Sequence, residues 1–149
     1  MAQELTGEEV FFSYAGPVLR YCGIAVSEAE LKELEEMLRT SRAPSKQRLE
    51  EIFPNAVKSM RQYAGTDGSD IWLPENVRKY WLKGHNGIVG NNRACMVYLG
   101  EVLEVLSSEN GGRYRVKLET NGEIDTRSHL NLKKGDKVAL HAFQIAEKL

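Results

Sequence analysis

The sequence predicts an α+β protein in which an N-terminal helical domain is followed by a small OB-like β-barrel. Apolar residues recur at helical spacing through the first half of the chain, whereas the periodicity changes to two after residue 95. Tight turn signals separate the short apolar runs of the second half. We therefore place the helical domain at residues 1–84, a linker at 85–92 and the barrel at 93–149.

The composition is that of an ordinary globular chain. Its 149 residues are 42% hydrophobic, which suits one compact domain or two small ones with a shared core. Lys and Arg number 20 and Asp and Glu number 21, with no cluster of positive charge, so a nucleic-acid partner is not expected. The chain has two cysteines, an acidic start and no apolar stretch of membrane-spanning length, which predicts a cytoplasmic protein without a membrane partner.

The helical half opens with the apolar residues 10–15, which end at a Gly-Pro pair and predict a short helix or extended piece followed by a turn. The clearest helix begins at Ser27, where Ser27 and Glu30 have the spacing of a capping box. Val26 and Leu31 are placed for a hydrophobic staple across that start. Leucines then recur at spacings of three and four, and the helix is expected to end between residues 39 and 42.

Two more helical regions follow. Pro44 or Ser45 begins the first, and Pro54 either starts or kinks its continuation. Residues 65–70 are rich in turn formers, and a last helix is predicted over residues 74–82 with Gly84 as its stop.

Residues 84–92 contain three glycines and three asparagines and form the natural seam between the halves. We interpret His85 as a loop histidine at a surface or an interface. Cys22, flanked by apolar residues, is interpreted as core packing. A metal site formed by Cys22, His85 and Cys95 through folding stays open as an alternative.

The barrel half predicts four or five short strands in about 55 residues. Residues 96–106 predict a strand that bends at Gly100, and residues 114–118 alternate apolar with basic side chains. Asn121-Gly122 predicts a two-residue hairpin turn into a return strand at 123–127. A turn at 133–136 leads into one final apolar strand at 137–146. These elements predict a closed or half-closed barrel.

Two segments of the barrel resemble one known family. The run from Cys95 to Val105, with Cys95 ahead of a short apolar run and Gly100, resembles the start of the HypC/HupF hydrogenase maturation chaperones. The Gly-Asp-x-Val-x-x-His pattern from Gly135 to His141, followed by an apolar tail that ends in leucine, resembles the end of the same family. The resemblance covers only the last 55 or so residues, and its two parts agree in order and spacing.

This resemblance implies a function in metalloenzyme assembly. In such chaperones the cysteine and the strand histidine handle iron that carries cyanide and carbon monoxide, and the positions that match them are Cys95 and His141. The implied partners are a HypD-like maturation protein and the large subunit of a nickel-iron hydrogenase. The donor types are suitable, because a thiolate and an imidazole nitrogen both bind iron and two ligands leave the metal open for transfer.

Two features depart from the family pattern. The family's cysteine follows the initiator methionine, whereas Cys95 follows 94 residues and lacks a free amine beside it. Leu99 stands where the family has a proline, which changes the turn that holds the cysteine.

Other interpretations stay open at the level of sequence. Cys95 is also typical of a strand packing residue, and His141 of a polar residue on the outer face of a strand. The chain could be a protein-interaction module that keeps the barrel without metal chemistry.

No enzyme is expected, because the chain has no Cys-x-x-Cys, no phosphate-binding loop and no metal-ligand spacing among its three histidines. An oligonucleotide-binding barrel is disfavoured by the nearly neutral charge around its few aromatic residues.

Overall fold

The computed structural model describes residues 5–18, 27–64, 70–86, 96–107, 112–120 and 122–149. The helices are α1 (Gly7–Ala15), which continues into a 3₁₀ turn (Gly16–Val18), α2 (Glu28–Arg39), α3 (Lys46–Ile52), α4 (Pro54–Ala64) and α5 (Pro74–Lys79), which continues into a π-helical turn (Tyr80–Gly84). The strands are β1 (Val97–Ser107), β2 (Arg113–Leu118), β3 (Glu123–Arg127), β4 (Lys137–His141) and β5 (Gln144–Lys148). Helices followed by an antiparallel sheet confirm the predicted α+β class.

Side-chain caps fix the starts of the early helices. Ser27 accepts a hydrogen bond from the amide of Glu30 at 3.2 Å, as the capping pattern predicts, while the carboxylate of Glu30 accepts from Arg48. A full capping box lies one helix earlier, where Thr6 and Glu9 exchange hydrogen bonds of 2.9 and 3.2 Å. That box favours the helical alternative for residues 10–15. The predicted staple at Val26 lies outside the described residues.

The last helical segment is longer than predicted and changes type. After α5 the backbone widens into the π-helical turn, in which the amide of His85 donates to the carbonyl of Tyr80. Gly84 does not stop the helix, because helical backbone continues through Asn86. A β-carbon at Gly84 would lie 2.7 Å from the Tyr63 ring, so the glycine permits close packing here.

The sheet has the strand order β3-β2-β1-β4-β5, with every neighbouring pair antiparallel. The long strand β1 pairs with β4 through its first half and with β2 over most of its length, and two irregularities in its pairing with β2 increase its twist. A β-carbon at Gly100 would lie 2.7 Å from Val116, so the close packing at this position needs glycine. The irregularities of β1 lie after Gly100, between Val102 and Glu104 and between Val105 and Ser107, so the bend predicted at Gly100 stays a prediction. The edge strands β3 and β5 contact each other, and the sheet is a curled half-barrel.

The final strand predicted at 137–146 is wrong. The chain instead forms the hairpin β4–β5, which turns at Ala142 and Phe143 with φ values of 52° and 63°. Two consecutive left-handed residues match a type I′ turn, which usually contains asparagine and glycine. Ala-Phe carries no such signal, so the turn could not be recognised.

Two apolar clusters stabilise these layers. One lies inside the curled sheet and includes Val102, Tyr114 and Leu140. The other fills the space between the helices and also contains Val97, Ala139 and Ala146 from the sheet. The helices and the sheet therefore share a core, and α1 packs on β4 and β5. Within the described ranges, no helix has the length and apolar character needed to cross a membrane.

Candidate functional site

His141, the strand histidine singled out from the sequence, ends β4 and faces the helices. Its side chain is only 4% exposed, so the interpretation as a polar residue on the outer face of a strand is wrong. The Nδ1 atom lies 2.7 Å from the backbone carbonyl oxygen of Tyr14. A carbonyl can only accept, so Nδ1 must carry the proton and the lone pair of the neutral ring is on Nε2. Metal-binding histidines are commonly oriented by such a bond to a carbonyl.

His85 lies against His141 although the two residues are far apart in the sequence. The ring centroids are 4.8 Å apart and the rings are nearly perpendicular, at 88°. His85 is 6% exposed and helical, so the loop and surface parts of its interpretation are wrong, whereas the interface alternative agrees with its contact with His141 of the sheet. Its Nδ1 atom also lies 3.3 Å from the hydroxyl of Tyr80. The structure thus brings together two buried imidazoles, one from each half of the chain.

Trp81 covers both imidazoles. The centroid of Trp81 lies 4.6 Å from that of His85 and 4.9 Å from that of His141. Its indole stacks in parallel on Tyr14, with the centroids 5.4 Å apart. The indole N–H is buried and has no hydrogen-bond partner in the described part of the chain. We call His85, His141 and Trp81 the two-histidine cluster.

Tyr14, whose ring stacks on Trp81, also makes a polar contact with Glu147 of β5. Its hydroxyl donates to Oε1 of Glu147 at 2.7 Å, and Arg78 donates to both oxygens of the same carboxylate, at 2.8 and 3.1 Å. Burial, reinforced by the negative charge of Glu147, raises the pKa of Tyr14 far above its ordinary value. The hydroxyl is therefore a permanent donor that ties α1 to β5, while the Tyr14 carbonyl orients His141.

The start of β1 is hydrogen-bonded to the same region. The Asn86 side chain exchanges two hydrogen bonds with the backbone of Val97, at 2.6 and 2.8 Å. Val97 is the register partner of His141, and the carbonyl of Met96 accepts from the amide of Ala142. Cys95 precedes Met96 in the sequence, but Cys95 and Cys22 both lie outside the described residues. The predictions made for these two cysteines remain predictions.

The donor set of the described residues is small. Across these ranges, no group of three or more His, Cys, Asp or Glu side chains is arranged to hold a metal ion. Two imidazoles can nevertheless hold a metal ion whose other ligands come from elsewhere. The buried indole N–H of Trp81 can donate a hydrogen bond to one of those ligands. Comparison with protein-family models, with curated proteins and with solved structures gave no match.

The sequence singled out one residue of the cluster as a candidate ligand, a role that stays a prediction, and did not connect the other two with it. His141 was singled out by resemblance, whereas His85 was interpreted only as a loop residue. Trp81 lies in the helix predicted over residues 74–82 but was not proposed as a site residue. Tyr14, Glu147 and Asn86 were not singled out at all. The Trp-x-x-x-His spacing of Trp81 and His85 places both on one helical face, and that is the local signal that could have connected them.

Proposed function

We propose that this chain is a non-enzymatic accessory protein of hydrogenase maturation, similar to the HypC/HupF chaperones. It docks a HypD-like partner and the large subunit of a nickel-iron hydrogenase. Its cargo is an iron atom with cyanide and carbon monoxide ligands, handled through Cys95 and His141. The observation that carries this proposal is the orientation of His141 by the Tyr14 carbonyl, which puts the lone pair of the neutral ring on Nε2.

The strand arrangement supports the barrel part of the proposal. β1 has both β2 and β4 as neighbours, and the edge strands β3 and β5 contact each other. Pairing of those two edges would close five strands into a ring, as in an OB-like barrel. We therefore propose that the curled half-barrel is OB-like.

The connection between Cys95 and His141 supports the choice of ligands. Cys95 is covalently joined to Met96, whose carbonyl accepts a hydrogen bond of 3.2 Å from Ala142, the residue after His141. A thiolate is a soft donor and an imidazole is a good donor for iron, so this pair suits a low-valent iron cargo. Two protein ligands leave other positions for cyanide, carbon monoxide and the receiving protein.

The chain's own residues then act on the cargo in simple ways. His141 donates its Nε2 lone pair, and the Tyr14 carbonyl keeps that tautomer. Burial of the cluster would limit the access of bulk water to a bound metal. Because the remaining positions stay available, a partner can take the iron by supplying further ligands.

The test is anaerobic co-purification of the full chain with a HypD-like partner, followed by iron analysis and infrared spectroscopy of the cyanide and carbonyl bands. We expect bands with the wild type and their loss in Cys95→Ala and His141→Gln. Cys22→Ala and His129→Gln are matched controls that should keep them. The proposal is overturned if the wild type carries no iron and no such bands, or if both site variants retain them while circular dichroism shows native folding.

A second candidate, a protein-interaction module without metal chemistry, is favoured by exposed apolar side chains in β1 and in the β4–β5 turn. Leu99 and Phe143 are exposed, and Phe143 stacks on Tyr98 with the centroids 5.2 Å apart. For such a module, partner capture is unchanged in Cys95→Ala and His141→Gln and the wild type carries no iron. Capture that depends on the two metal-type ligands would exclude it.

A further inference from the structure

The two-histidine cluster joins residues that the resemblance to maturation chaperones does not cover. We propose that His85 and His141 together bind one first-row divalent transition-metal ion, so that the helical half supplies the second imidazole of the site. The biological meaning of this inference rests on the proposed function, but the metal site can be tested without it. It gives the helical half a chemical role beyond packing.

The spacing of the two rings fits a shared ion. A metal–nitrogen bond of about 2.0–2.1 Å places each imidazole centroid roughly 3.2 Å from the metal, so two rings on one ion have centroids about 5 Å apart. The observed separation is 4.8 Å. The rings are nearly perpendicular, at 88°, so they do not stack on each other.

Both rings have a second partner on Nδ1. The His141 Nδ1–H donates to the Tyr14 carbonyl, and the Nδ1 of His85 is within hydrogen-bond distance of the Tyr80 hydroxyl. A metal ion selects the His85 tautomer in which Nδ1–H donates to that hydroxyl and Nε2 carries the lone pair. Partners of this kind hold ligating histidines in orientation and are typical of metal sites.

The buried indole N–H of Trp81 is a second, independent sign of a ligand. Trp81 is 1% exposed, and no acceptor for this N–H is present among the described residues. Buried donors without a partner are uncommon and call for an explanation. An acceptor atom on the metal, such as the nitrogen of a bound cyanide or the oxygen of a bound water, supplies the missing partner next to both imidazoles.

The local backbone is consistent with a built site. Trp81 and His85 are brought to the cluster by the π-helical turn, which is held by the bond from the His85 amide to the Tyr80 carbonyl. Such turns are rare, and they occur frequently at functional sites. Imidazole donors suit iron, nickel, copper and zinc, so the chemical class of the ion follows from the ligands.

The experiment uses Zn²⁺ as the probe, because it is diamagnetic and is not reduced by thiols. The full chain with ¹⁵N-labelled histidine is titrated with Zn²⁺, and long-range NMR spectra follow the ring nitrogens of all three histidines. We expect the Nε2 signals of His85 and His141 to move together at one equivalent, with His129 unchanged. Binding calorimetry should show at least a tenfold loss of affinity in His85→Gln and in His141→Gln, with His129→Gln as the control.

The wild-type NMR measurement does not depend on any variant's folding. Movement of His141 alone, or of neither ring, overturns the two-imidazole site. Retention of full affinity by His85→Gln also overturns it, even where the infrared test supports the proposed function. Conversely, Zn²⁺ bound by both imidazoles in a chain that never carries cyanide or carbonyl bands keeps this inference and removes the proposed function.

Discussion

The contact of Tyr14 with Glu147 gives the most direct test of how the two halves are held together. Tyr14→Phe removes one hydroxyl from a fully buried side chain and leaves its ring stacking on Trp81 intact. The lost interaction is a hydrogen bond of 2.7 Å to the buried Glu147 carboxylate. Hydrogen bonds to charged groups contribute about 1.5–3 kcal/mol to folding.

We expect the lower part of that range, about 1.5–2 kcal/mol, because the carboxylate keeps both hydrogen bonds from Arg78. The Arg78 side chain is 37% exposed, so water screens this ion pair and the surviving contact is itself of modest strength. In a chain of this size, such a loss lowers the melting temperature by about 3–8 °C.

The assay is urea denaturation followed by circular dichroism, with Tyr63→Phe as the matched control because Tyr63 is exposed. The control should stay within about 0.5 kcal/mol of the wild type. A double-mutant cycle with Glu147→Gln should give a coupling of about 1 kcal/mol or more. The reasoning is refuted if Tyr14→Phe costs no more than Tyr63→Phe, or if its cost is the same in the wild-type and Glu147→Gln backgrounds.

Two other predictions concern pH and packing. Burial lowers the pKa of His129 below its ordinary value of 6.5. As the pH falls, the imidazole is therefore protonated in the unfolded chain at a higher pH than in the folded chain, and stability is lost below about pH 6.5. In His129→Gln this part of the loss should disappear from melting curves measured between pH 7 and pH 5, and identical curves for both proteins would contradict it. Gly7→Ala should destabilise the protein by at least about 2 kcal/mol, because the new β-carbon would lie 1.6 Å from the carbonyl oxygen of Trp72. Gly16→Ala, whose β-carbon meets only side-chain atoms, is the control and should cost less in the same urea titration.

Local chemistry was enough to predict most elements of the fold. Ser27 and Ser45 cap the helices whose starts they indicate, and β2 shows the alternating burial that residues 114–118 predict. The return strand β3 has the predicted bounds. Errors occurred where the residues carry no local signal, as in the left-handed Ala142-Phe143 turn, or where tertiary packing overrides one, as at Gly84 beside Tyr63.

The candidate site was harder to predict because its parts are separated along the chain. His85 follows a glycine and precedes an asparagine, which favours a loop when this segment is considered alone. The π-helical turn places the residue differently, since the bond from the His85 amide to the Tyr80 carbonyl carries the helix past Gly84. Only β4, packed against α1, then brings His141 to the same point.

The resemblance identified His141 because it covers the barrel, and for the same reason it could not identify His85 or Trp81. Those two residues belong to the helical half, and their burial depends on the shared core between the helices and the sheet. A chain with the barrel alone would lack the second imidazole and the buried indole N–H. The helical half therefore changes the environment of the strand histidine, and experiments on the metal binding proposed for His141 need the full chain.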